Sequence, residues 1–361
     1  MEHRVTLRVA LVGGPMYDGL YALLDGDDVD VVVHEDHPTL NRAVAKLLAA
    51  GERIDVLSTH SKYAPSQAQW LQPLDGVIDV GALASQAVEL CRFDGTLLSA
   101  PRNIDVRVLW YRTDLVDTPP ATWADLVASK HAFAFPGRES GLFGTFFEIV
   151  VAYGGRLFDD AVQPVIVSPE AVVAVELLCA LARRAPDDLP TWHYDQVDAA
   201  LLDGQVAMAA AWPGGYGPMR ASDLYPRLAA APYLGGPAAR VSYAGVHSWA
   251  IPTTCADVPS AIALIERLVS ADAGALDAAG GSVCAHVDAF AAVEPADATD
   301  ERRLEITRDT IANAMITYPS LSRFPEIEDA GWSAINAALR GELDPKTAVQ
   351  QIQRAAEEVL A

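Results

Sequence analysis

The chain has 361 residues, 51% hydrophobic and 20% charged, a globular composition with apolar side chains enough for one sizeable core or two modest ones. Its 26 basic and 48 acidic residues leave a net charge of −22, which repels phosphate backbones and anionic headgroups and argues against nucleic-acid binding. Four scattered cysteines (Cys91, Cys179, Cys255, Cys284) with no C-x-x-C argue against a disulfide scaffold and a structural zinc module, although a single Cys255–Cys284 bridge stays open.

Thr6 to Val12 reads as a strand, and Gly13-Gly14-Pro15 opens a helical pattern through Leu24 that includes Tyr17. Glycines at a strand-to-helix turn let backbone N–H groups face a ligand, but neither the dinucleotide nor the P-loop spacing is present. A second strand spans Val29 to Val33, a helix Thr39 to Ala50 stops at Gly51, and a third strand covers Ile54 to Leu57. Strand, helix, strand at this spacing is a βαβ unit. Its ligand rim lies beyond the carboxyl ends of the strands, at the Gly13–Tyr17 turn and at the Thr59–Tyr63 loop with Thr59, His60, Ser61 and Lys62. His34-Glu35-Asp36-His37 lacks H-E-x-x-H spacing and reads as solvated loop charge, so no metal or other cofactor is expected.

Ser99 to Leu115 places Arg102, Asn103 and Asp105 just before an apolar strand, Val106 to Tyr111. Asp117-Thr118-Pro119-Pro120 then stops the element. A second strand, glycine-rich turn and helix follow: Ala132 to Phe135, the loop Pro136 to Gly141 carrying Glu139 and Ser140, then Leu142 to Tyr153. Ser168 and Pro169 are the N-cap and first position of a helix through Arg184. Asp195 to Asp203 is a further helix. The strand Gln205 to Ala211 delivers Trp212, with Gly214 and Gly215 in the turn behind it. An indole there suits the C–H face of a sugar ring. Tyr243 to Ile251 is a late strand containing Gly245, His247 and Ser248. Helices over Pro259 to Ser270, Arg302 to Ala314, Ile327 to Leu339 and Asp344 to Leu360 complete the chain. No window reaches the roughly 20 apolar residues of a membrane span.

The stretches SAPRNIDVRVLWYRTDL with PPATWADL, GTFFEIVVAYGGRLFD, DGQVAMAAAWPGG, YAGVHSWAIP and INAALRGELDPKTAVQQI occur in one order. In that order they resemble an extracellular solute-binding protein of carbohydrate ABC transporters, the group that includes maltose-binding protein. The resemblance implies an α/β, two-lobed periplasmic-binding-protein-like fold of type II, each lobe a mostly parallel sheet flanked by helices. It implies a first lobe of residues 1–108 plus 246–305 and a second of 109–245 plus 306–361, with a hinge and a ligand cleft. Family contacts carried over fall on Thr59, His60, Ser61, Lys62, Asp105, Glu139, Ser140, Gly141, Leu142, Trp212, Gly214 and Gly215. Tyr17, Arg102, Asn103, Gly245, His247 and Ser248 complete the expected rim. The implied partners are a small carbohydrate ligand and ABC permease subunits, with a monomer suited to hinge closure.

The first loop, Gly13-Gly14-Pro15-Met16-Tyr17, departs from the charged or tryptophan-bearing loop of maltodextrin binders, and Trp212 is the one clear stacking aromatic. A small ligand follows, and the basic groups at the rim leave room for an anionic sugar such as a sulfonated sugar, sugar acid or sugar phosphate. Met1-Glu2-His3-Arg4 shows no signal-peptide pattern. The expectation is a periplasmic or extracellular protein, with a lipoprotein anchor or a cytoplasmic location still open. The alternatives are a cytoplasmic sugar sensor or an enzyme on this fold, the latter opposed by the absence of G-x-S-x-G and H-E-x-x-H.

Overall fold

The computed structural model describes residues 6–25 and 28–361. The chain divides into two units: Met1–Asp105, Gly245–Glu294 and Ser320–Phe324 form the first, and Val106–Ala244, Pro295–Pro319 and Pro325–Ala361 the second.

In the first unit a five-stranded sheet has the order Val29–Glu35, Leu7–Val12, Val56–His60, His247–Ala250, Ala100–Pro101. The first three strands are parallel, as a βαβ connection requires. The strand His247–Ala250 runs antiparallel to both of its neighbours, with His247 opposite His60 and Ser248 opposite Pro101. The sheet is therefore mixed. Helix His37–Ala49 is capped by Asp36, whose carboxylate accepts the Thr39 N–H, and it buries Leu40, Val44 and Leu48 against Ala10, Val12 and Leu57. The four-residue spacing of those leucines and valine puts them on one stripe. Asp36 and His37 are thus a cap and a first-turn residue, not loop charges.

The second unit holds a four-stranded sheet in the order Leu228–Ala231, Val108–Arg112, Met208–Ala211, Phe133–Ala134. Two of its three pairings are antiparallel, so this sheet is mixed as well. Helix Glu139–Ala152 is buried nearly all round, while Pro169–Ala182 is capped by the Ser168 hydroxyl, which accepts from Ala171 N–H. The last helix, Pro345–Leu360, packs its Ala348, Val349, Ile352 and Ala356 stripe inward and makes contact with Pro169–Ala182.

Several expected boundaries move. The third strand is Val56–His60, so Thr59 and His60 are sheet residues. Glu139, Ser140 and Gly141 open a helix and are not loop. The stretch read as one strand from Tyr243 to Ile251 is two, Ser242–Tyr243 and His247–Ala250, and the unit boundary falls between Ala244 and Gly245. The change of unit in the crossing comes at Asp105–Val106, and residues 295–305, expected in the first lobe, lie in the second unit. There Arg303 of helix Ala298–Asn313 stacks over the Tyr216 ring at 4.0 Å, which ties the segment down. All four cysteines are free thiols, Cys255 and Cys284 included. No helix of the described residues is long and apolar enough to cross a membrane.

Candidate functional site

In the first unit, strand Val56–His60 and its antiparallel neighbour bring His60 and His247 face to face. The first turn of helix His37–Ala49 adds a third imidazole. The ring centres lie 5.1 Å (His37–His60), 4.8 Å (His37–His247) and 4.9 Å (His60–His247) apart. The Tyr17 hydroxyl is 2.8 Å from His247 Nε2, and Asp105 Oδ2 is 3.1 Å from the same nitrogen. Lys62 N–H donates to His60 Nδ1 at 3.1 Å, and the Lys62 ammonium lies 4.8 Å from the centre of the Tyr63 ring.

Burial dominates the electrostatics here. It pushes the Asp105 carboxyl up to about 7, against the pull of Arg102. Burial pushes His247 down to about 3, helped by Arg102 and Lys62. His60 is held well below the usual histidine range by burial, then by His247, His37 and Lys62. At neutral pH the His60 and His247 rings are uncharged. No group of three metal-binding side chains among the described residues is set to hold an ion. The Lys62 N–H on His60 Nδ1 explains one part of that, because it leaves the ring proton on Nε2 as a donor.

Other expected rim residues of this unit turn their polar atoms inward. Arg102 makes a two-pronged pair with Asp277 (Nε–Oδ2 2.7 Å, Nη2–Oδ1 2.6 Å) and also donates to the Tyr17 carbonyl. Paired in this way, it does not serve as a free cation for an anionic ligand. Asn103 donates to Asp105 Oδ1 and accepts the His247 N–H. The Thr59 hydroxyl donates to Gln67, and Ser61 exchanges hydrogen bonds with the Val246 backbone. Gly245 pairs by its backbone with Asp105, and Ser248 is buried in the sheet.

In the second unit the half-buried Trp212 caps the end of strand Met208–Ala211. Its indole lies over the Arg107 guanidinium, 4.6 Å from the ring centre, and the rings of Tyr194 and Tyr243 stand perpendicular to it at 6.2 Å and 6.0 Å. Arg107 is fully buried. It donates to the Thr145 hydroxyl (2.7 Å) and the Gly141 carbonyl (3.3 Å) and lies 3.5 Å from Glu148 Oε2. Glu148 in turn accepts the Tyr243 N–H at 2.8 Å. A cation behind one face of the indole opposes a second cation in front, so Trp212 suits the C–H face of a neutral ring better than an ammonium group.

Behind the Trp212 turn, a Cβ on Gly215 would lie 2.5 Å from Asp198 Oδ2; Gly214 is half-buried. Glu139 carries a positive φ of 54° and pairs with Arg138 and His193. That is an uncommon backbone conformation for glutamate, of the kind that clusters at ligand-holding turns. The Ser140 hydroxyl lies 3.2 Å from that of Tyr194, while Leu142 is wholly in the core. A Cβ on Gly141 would come within 2.5 Å of Pro136 Cβ and 2.9 Å of Tyr194. Gly141→Ala is expected to cost about 1–3 kcal/mol by overpacking and to displace the Tyr194 ring beside Trp212. Equilibrium unfolding checks the first effect and the Trp212 emission spectrum the second.

Sequence reasoning missed His37, Arg107, Glu148, Tyr194, Tyr243 and Asp277. Arg107 had one visible signal: a charge inside an otherwise apolar strand run asks for a buried partner.

Residues 6–275 match the model of the bacterial extracellular solute-binding proteins. Maltose-bound MalE3 of T. maritima is 22% identical, with a TM-score of 0.86 over 98% of this chain and 99% of that one. The GacH receptor of Streptomyces glaucescens is 17% identical, with a TM-score of 0.85 over 99% of each chain. A ribitol-bound ABC transporter solute-binding protein from Agrobacterium radiobacter K84 is 20% identical, with a TM-score of 0.84 over 98% of each. These likenesses establish the two-lobed, type II periplasmic-binding-protein-like architecture.

Proposed function

Because the chain belongs to the family of bacterial extracellular solute-binding proteins, we propose that it captures a small sugar or polyol outside the cytoplasm and hands it to the permease of an ABC importer. The observation that carries this reading is Trp212: a half-buried indole at a strand end, backed by Arg107 and flanked by two perpendicular tyrosines. Maltose, ribitol, α-D-tagatose and D-mannitol in four of the similar structures support the ligand class. A single stacking tryptophan favours a mono- or disaccharide-sized ligand over a long oligosaccharide. Binding rather than turnover fits the serines of the site, since Ser140 neighbours a tyrosine hydroxyl and Ser248 lies in a buried sheet.

A thermal-shift panel of monosaccharides, disaccharides and polyols tests the proposal. At ligand concentrations about a hundredfold above Kd, stabilisation of about 2.7 kcal/mol is expected, a rise of several degrees. Trp212→Ala is expected to lose about 2 kcal/mol of binding, roughly thirtyfold in Kd. No response to any sugar or polyol in the wild type, or chemical conversion of the ligand in the same tubes, would overturn the reading.

A further inference from the structure

Within the second unit, helix Tyr194–Leu202 touches the Trp212 turn at two points, four residues apart on one face of the helix. Tyr194 stands against the indole, 6.2 Å from its centre, and Asp198 lies against Gly215. A Cβ on Gly215 would come within 2.9 Å of both carboxylate oxygens of Asp198, so only glycine leaves room for the carboxyl there. The Asp198 side chain makes no hydrogen bond or ion pair among the described residues. Gly215 donates its N–H to the Trp212 carbonyl at 3.1 Å and closes the short helical turn Pro213–Gly215. Asp198 therefore reaches Trp212 through one residue and one hydrogen bond.

A carboxyl packed against a glycine with no donor in reach is tolerated there while it carries a proton. Burial pushes Asp198 up to about 7, and Asp195, one helical turn earlier, adds to the rise. No cation pulls it back. The strands packed on the helix, Met208–Ala211 and Phe133–Ala134, carry no titratable side chain. The turn Trp212–Gly215 carries none either, and beyond it the Tyr216 ring lies under Arg303, which pairs with Asp300. At the other end of the helix, His193 lies beside Tyr194 with ring centres 4.1 Å apart and pairs with Glu139, which also meets Arg138. Asp198 is half-buried, so water is within reach once it ionises.

We propose that Asp198 is a positioning residue for Trp212: protonated, it braces the turn against Gly215, and ionised, it swings out to solvent and releases the turn. This rests on the sugar-binding reading and adds pH control to its stacking surface. The proton is exchanged with solvent. A carboxyl held above its ordinary value supplies its brace at low pH and loses it as pH rises through about 7, so sugar affinity falls on the alkaline side.

Tryptophan emission of the ligand-free full chain between pH 5 and pH 9 tests the brace by itself. Subtracting the Trp212→Phe spectra isolates Trp212, whose emission is expected to shift in one step centred near pH 7. Asp198→Asn keeps the shape of the protonated acid and is expected to hold the acid-side emission throughout. Asp198→Ala removes the brace and is expected to show the alkaline-side emission throughout. Calorimetric titration with maltose, ribitol, D-tagatose and D-mannitol then reads Kd at pH 6 and pH 8. For any probe that binds, the wild-type Kd is expected to weaken about tenfold over that interval, and Asp198→Asn to remove the dependence. An emission step missing from the wild type overturns the brace and leaves the sugar reading standing. A step that persists in Asp198→Asn belongs to His193 and does the same, as does a bound probe with equal Kd at the two pH values. Silence from all four probes with the emission step intact overturns the sugar reading and leaves the brace standing.

Discussion

Arg102→Ala is expected to destabilise the protein by about 3–5 kcal/mol, because it strands the Asp277 carboxylate in the interior. Arg102 and Asp277 side chains are 2% and 3% exposed and joined by two short charge-assisted bonds, so neither charge has water to fall back on. The guanidinium also accounts for a hydrogen bond to the Tyr17 carbonyl and for packing over the rings of Tyr17, Tyr21 and Trp249. Its loss therefore loosens the turn that carries Tyr17 to His247. Arg102→Met with Asp277→Leu is expected to cost less than Arg102→Ala alone, since removing both charges removes the desolvation penalty with the attraction. Thermal unfolding of the three proteins reads the order directly, with a drop of about 10 °C for the single variant. A single variant within about 1 kcal/mol of the wild type would mean that the pair is solvated in solution.

Arg107→Met is expected to act twice, on stability and on ligand affinity. Arg107 and Glu148 are both wholly buried, and losing the cation leaves Glu148 without its ion pair at a cost of about 3–5 kcal/mol. Burial already raises the Glu148 carboxyl above the usual range, with Arg107 pulling it down. Without Arg107 it rises further. A group whose folded-state value is raised loses its stabilising contribution as pH increases, so the variant is expected to be less impaired at pH 5 than at pH 8. Trp212 loses the guanidinium that backs its indole, and ligand affinity is expected to drop at least tenfold. Urea unfolding at the two pH values and ligand titration by tryptophan fluorescence separate the effects. Equal destabilisation at both pH values would show that Glu148 keeps its charge by another route.

Much of the local structure is legible in the residues because local physics specifies it. Ser168 before Pro169 is a cap in any context, and the structure has its hydroxyl on Ala171 N–H. Helix Thr39 to Ala50 was readable from its apolar stripe, yet it starts at His37 because Asp36, inside a run that looked like solvated charge, is the cap. The third strand extends to His60 because its antiparallel neighbour offers backbone groups all the way to His247. Hydrophobic pattern in Ile54 to Leu57 carries no trace of that neighbour, which comes nearly two hundred residues later.

The sequence by itself determined the strand–helix alternation, the order of the segments, the resemblance they add up to, and the position of Trp212 at a strand end. Each depends on neighbours a few residues apart, within reach of periodicity and capping. Only the tertiary structure decided which polar groups of the rim are spent inside the fold. Arg102 meets Asp277 from 175 positions away, and Asn103 is tied to His247 across 144. His37, His60 and His247 come from a helix turn and two strands and meet only when the sheet brings them together. Charge pairing and burial are set by distance in space, and no local pattern records which partner a buried charge will find.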